Sequence, residues 1–136
     1  MLPVSTYLRR ILTIDAAMSG ATALLLVLAA SALARLLALP ELLLRIAGIA
    51  LVPFVIYVAA VSRREVVPRA SVLAIIVMNI AWVIASVWLL LGGVIQPNAF
   101  GYAFIIAQAV AVALFAELQL VALRKASLSR LASVSS

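Results

Sequence analysis

An all-α membrane protein, folded as a four-transmembrane-helix bundle, is what this chain should form. From Ala70 to Ala116 there is no Asp, Glu, Lys or Arg. That run exceeds the roughly 20 apolar residues of one membrane crossing and covers most of a second. The composition agrees: 68% of the 136 residues are hydrophobic, against roughly 45–50% in soluble domains. The mean hydropathy is +1.35. One domain, residues 1–126, accounts for all the apolar segments. Residues 127–136 are small and polar and read as a flexible cytoplasmic tail.

The first helix is expected over about residues 11–37, stopped by Pro40. Arg9-Arg10 before it and Ala32-Leu33-Ala34 near its end imitate a cleavable signal, but the apolar stretch is longer than a signal core. The second helix is expected over 41–62. Pro40 precedes it where a missing N–H costs nothing, and Glu41 sits at the positive end of its dipole. Arg45 follows one turn on as a partner for Glu41, with its head in the headgroups. Pro53 should kink or loosen this helix. The third helix is expected over 71–93, ending at Gly92-Gly93, and the fourth over 98–123. Each must be helical, because hydrocarbon offers the backbone no other partner.

Charge sets the expected orientation. Arg9 and Arg10, then Arg63, Arg64 and Arg69, then Arg124, Lys125 and Arg130 fall on one side of the layout. Only Arg35 and Arg45 fall on the other. Basic residues mark the cytoplasmic face, so both termini are expected there. Abundant Ala, Leu and Arg against a single Lys fits a bacterial inner membrane. The net charge of +6 follows from these segment ends, and no nucleic-acid partner is expected.

The two halves carry a faint repeat. The shift that places Ile11 on Ile75 also places Asp15 on Asn79 and Thr22 on Ser86. A similar shift places Phe54 on Phe115. Two tandem hairpins would share one orientation, as parallel repeats about an axis along the membrane normal.

The polar groups are few. Asp15 shares a helix face with Ser19 and Thr22. Counted from the start of the first segment it is shallow, paired with Arg9 or Arg10, or serving as a proton or cation carrier at the mouth of a pathway. Asn79, Trp82 and Ser86 form a stripe on the third helix, suited to an interhelical bond or to a cavity wall. Gln108 and Gln119 share one face of the fourth helix, while Glu117 lies half a turn from Gln108 at roughly 100° per residue. Glu117 is about 10 Å inside Arg124 at ~1.5 Å per residue. It must either snorkel to the interface or meet another chain.

No residue set for catalysis, cofactor or metal is expected. The chain has no Cys and no His, and it carries no phosphate-loop or nucleophile motif. In length it is similar to small multidrug exporters and small fluoride channels. The former look for a Glu deep in the first helix, and the glycine, asparagine and phenylalanine pattern of the latter is not found. The chain looks most like the small four-helix proteins of bacterial inner membranes, and no residue role is carried across. The expected function is a self-associating or accessory membrane subunit, partnered by lipid, by further copies or by other membrane proteins. The alternative is a small-solute or proton-coupled transporter working as an oligomer. Convergence of Asp15, Asn79 and Glu117 on one cavity would favour transport, and their dispersal the subunit.

Overall fold

The structure is a computed structural model that describes residues 2–135, with side chains through residue 128 and at 131 and 132. Among these residues the elements are β1 (Leu2–Pro3), α1 (Thr6–Leu28), α2 (Ala30–Leu37), α3 (Glu41–Arg63), β2 (Val66–Val67), α4 (Arg69–Leu91) and α5 (Ala99–Ser135). Helices α1, α3, α4 and α5 are each long and apolar enough to cross a membrane. The protein is an all-α, multi-pass membrane bundle.

Three boundaries differ from the expected ones, each for a local reason. Helix α1 begins at Thr6, where the Ser5 hydroxyl accepts the Leu8 amide at 3.1 Å. Such a cap satisfies one of the orphan donors of the first turn. The expected first helix is also divided, because Ala29 (φ −110°, ψ 21°) leaves helical geometry between α1 and α2. Helix α5 runs to Ser135, through residues 127–135 read as a flexible tail; Ser136 lies outside the described residues. Helix α3 continues through Pro53 without a break.

A short antiparallel pair joins the chain start to the middle loop, with Leu2 opposite Val67 and Pro3 opposite Val66. The Val4 amide donates to the Glu65 carbonyl at 2.8 Å. Arg9 donates to the Ser62 and Arg64 carbonyls, which turns its guanidinium toward the end of α3. The Lys125 ammonium lies 5.0 Å from the Tyr7 ring centroid and ties α5 to α1 at the same end.

The bundle is two hairpins, α1–α3 and α4–α5, each packed more closely within itself than against the other. Gly48 lets α3 approach α1: a Cβ there would stand 2.7 Å from Val27 Cγ2 and 3.1 Å from the Ala23 carbonyl oxygen. At the end of the bundle opposite the β1–β2 pair, α2 docks on the start of α5. Asn98 caps α5 through Gly101 N–H at 2.9 Å and donates its amide to the Leu36 carbonyl at 2.8 Å. Ala38 closes α2 in the left-handed region (φ 54°), a position that usually belongs to Gly.

Two apolar clusters fill the ends. Leu2, Leu8, Leu12, Val67, Val72 and Leu123 belong to the one beside the β1–β2 pair. Leu26, Leu37, Leu39, Leu44, Ile95 and Ile105 belong to the one beside α2.

Gly48→Val should destabilise the bundle by about 1–3 kcal/mol, because the added branches meet Val27 and the α1 backbone. Gly20→Ala should stay within about 0.5 kcal/mol, since its Cβ would meet only Val55 Cγ1 at 3.5 Å, an ordinary contact. Thermal unfolding of the two variants in one detergent compares them. Equal stability would contradict the close approach at Gly48.

Candidate functional site: a polar node beside a central cavity

The sequence places Asp15 near the inner interface. The structure buries it inside the bundle. With α1 starting at Thr6, Asp15 is about 14 Å into the helix at ~1.5 Å per residue. It is 1% exposed and paired with neither Arg9 nor Arg10; the one ion pair among the described residues is Arg45–Glu41, at 2.8 Å on the surface. An unpaired carboxyl at this depth is costly unless donors surround it.

Three donors do. Ser19 Oγ donates to Asp15 Oδ1 at 3.1 Å, from one turn along α1. Asn79 Nδ2 donates to Asp15 Oδ2 at 3.1 Å from α4. Gln119 Nε2 donates to the same oxygen at 2.6 Å from α5. Asn79 Nδ2 also donates to Gln119 Oε1 at 2.9 Å, which closes a ring of three side chains. Asn79 and Gln119 are as buried as Asp15, at 3% and 0% exposed. The orientation of both amides follows from the ring, since either one turned over would set oxygen against oxygen. No buried side-chain polar atom among the described residues is left without a partner.

A second network joins α4 to α5 toward the outer side. Trp82 Nε1 donates to Gln108 Oε1 at 2.6 Å. Gln108 Nε2 donates to Ser86 Oγ at 2.9 Å and to the Ile105 carbonyl at 2.9 Å. Ser86 Oγ donates in turn to the Trp82 carbonyl at 2.8 Å. Thr22, the residue that the internal repeat matches to Ser86, makes the same back-bond in α1, to the Met18 carbonyl at 2.8 Å.

Between the hairpins lies a cavity of about 570 Å³. Ligand pockets span about 300–1,000 Å³. All four long helices line it. Its polar groups are Ser19, Thr22, Asn79, Trp82 and Gln108, and its aromatic walls are Phe54, Phe104 and Phe115 with Trp82. Ser19 and Asn79 both face the cavity and bond Asp15, so the carboxyl stands one side chain behind the wall.

Of the residues singled out from sequence, Asp15, Asn79 and Gln119 meet in the node, and Trp82 and Gln108 meet in the second network. Glu117 joins neither. It is exposed on the outside of α5. Arg45 is exposed near the outer end of α3, bonded to Glu41. Sequence reading missed Phe104, Met18 and Met78 as wall residues, because apolar side chains inside and outside a membrane bundle look alike. No protein-family profile matches this chain, and no curated protein or solved structure is significantly similar to it.

Asn79→Leu and Gln119→Leu should each destabilise by about 1–3 kcal/mol, because each strips a donor from a buried carboxyl. The double variant should depart from additivity by about 0.5–3 kcal/mol, the range for residues in one network. Denaturant titrations of the four proteins give the cycle. Strict additivity would mean that the two amides do not share Asp15.

Proposed function

We propose that this protein carries a small solute across a bacterial inner membrane, holding it between its two hairpins and making no chemical change in it. One observation carries the reading: Asp15 and Asn79, two of the three residues whose convergence would favour transport, meet with Gln119 beside a cavity lined by all four long helices, while the third, Glu117, stays on the outside of α5. An ionisable group inside a membrane bundle, set just behind a cavity wall and bonded across helices, is a common mark of a solute or ion pathway. The walls are mostly apolar with a few convergent polar groups, which is the common make-up of small-molecule sites. The working orientation has both termini in the cytoplasm, supported by Arg9, Arg10, Arg63, Arg64, Arg69, Arg124 and Lys125 at one end against Arg35 and Arg45 at the other.

Glu117 supports a second reading, in which the chain associates with itself or with another membrane protein. It is exposed on α5 inside Arg124, and it joins no ion pair among the described residues. Lipid tails solvate such a group poorly, and a polar group of a partner helix would solvate it better. The two readings are compatible, since the cavity and Glu117 lie on different faces of α5. In native-lipid particles, Glu117→Ala should lower the mass while Asp15→Ala leaves it unchanged. An unchanged mass for Glu117→Ala would remove the second reading.

Reporter fusions after Ser136 should signal from the cytoplasm, and insertions within Gly92–Asn98 should signal from the opposite side. The reverse pattern would invert the proposed orientation. For transport, purified protein in liposomes should speed the release of at least one class of trapped small probe, cationic, neutral or anionic. Phe115→Trp, which adds bulk to the cavity wall, should slow that release. Liposomes that hold all three classes as tightly as protein-free ones would overturn the transport reading.

A further inference from the structure

We propose that the central cavity selects organic cations with an aromatic or bulky apolar body. The inference rests on the solute-binding reading above and specifies its ligand. Ser19, Asn79 and Gln119 converge on the two oxygens of Asp15, and the Asn79 and Gln119 amide nitrogens, which can only donate, both meet Oδ2. Two amide donors on one oxygen suit the carboxylate form of Asp15. The donors are neutral, so they solvate the charge without cancelling it. The nearest arginines in sequence are committed elsewhere or turned away: Arg9 bonds the end of α3, and Arg10 is exposed. The buried negative charge therefore has no counter-charge among the described residues.

The cavity is where a counter-charge fits. Ser19 and Asn79 form a stretch of its wall and touch the carboxylate directly. A cation in the cavity stands one side chain from Asp15, in surroundings where screening is weak. The other walls suit the same ligand. Phe54, Phe104, Phe115 and Trp82 come from three helices and supply ring faces, which attract quaternary ammonium and similar groups. Met18 and Met78 add adaptable apolar surface. Among the described residues no Lys or Arg lines the cavity, so its wall brings no positive charge to an anion. The volume of about 570 Å³ is more than a bare metal ion would use, and the wall offers no cluster of carboxylates to hold one.

Trp82 provides the readout. The chain has two tryptophans; Trp82 lines the cavity and Trp88 is exposed on the outside of α4. Trp88→Phe leaves Trp82 as the sole indole fluorophore. This full-length protein, in discs of uncharged phosphatidylcholine, is titrated with benzyltrimethylammonium, with its neutral carbon isostere neopentylbenzene, and with benzenesulfonate. The cation should change Trp82 fluorescence saturably, with affinity at least tenfold above that of the isostere, and the anion should give no saturable change. Asp15→Asn in the same background should remove the tenfold preference and keep binding of the isostere. Isostere binding also certifies that this variant has folded, and the wild-type comparison stands without it. Saturable binding of the isostere as tight as the cation overturns cation selection and leaves solute binding in place. No saturable binding of any probe overturns both. A cation preference that survives in folded Asp15→Asn removes the carboxylate from the account and overturns the proposal.

Discussion

The bundle is organised around one carboxyl group that cannot reach water. Asp15 lies in the middle of a membrane helix, and an unsolvated charge there would oppose insertion and folding alike. Its solvation is supplied by the chain itself, from Ser19 on the same helix, Asn79 on α4 and Gln119 on α5. Two of those three residues belong to the other hairpin. Satisfying Asp15 therefore requires that the hairpins meet in one register, which gives this node a larger role in specifying the fold than its bond count implies. Between membrane helices, individual hydrogen bonds are worth only about 0.6–2 kcal/mol. The node matters because two of its three donors come from the other hairpin.

The rest of the architecture follows from where that node sits. Apolar clusters close the bundle at both ends, one through Leu2, Val67 and Leu123 and the other through Leu37, Leu39 and Ile95. The cavity lies between them, where Ala81, Ala85, Ala107 and Ala111 leave room that larger side chains would fill. The hairpins touch each other more sparsely than their own helices do. The β1–β2 pair and Arg9 tie the helices together at one end, and α2 with its Asn98 bonds does so at the other. Both are short, surface-lying devices, the kind of element from which low-stability, moving segments are drawn.

Much of this was legible in the sequence because hydrocarbon leaves the backbone few choices. Four apolar segments in a membrane must be four helices, and α3 and α4 fall within two residues of their expected bounds. The faces of Asp15, Asn79 and Gln119 were also readable, since helical spacing fixes which side chains share a side. Depth was not readable. Arg9 and Arg10 look like a boundary, yet α1 starts before them because Ser5 caps it and Arg9 folds back onto α3. The burial of Asp15 itself comes from Asn79 and Gln119 closing on it from α4 and α5, a packing that no count along α1 reveals. The break at Ala29 carries no Gly or Pro to announce it, and the two-residue strands are too short to leave a pattern. The cavity itself was invisible, because an absence of packing belongs to no single residue.

The central claim is that Asp15 is an ionised, hydrogen-bonded carboxylate inside the bundle. Infrared spectroscopy of the protein in lipid reads that group directly, through the difference between wild type and Asp15→Asn. The account requires the paired stretches of a carboxylate in that difference, and a shift of those bands in the Gln119→Leu background as the 2.6 Å donor is lost. A carbonyl stretch of a neutral acid at Asp15, unmoved by Gln119→Leu, would contradict it.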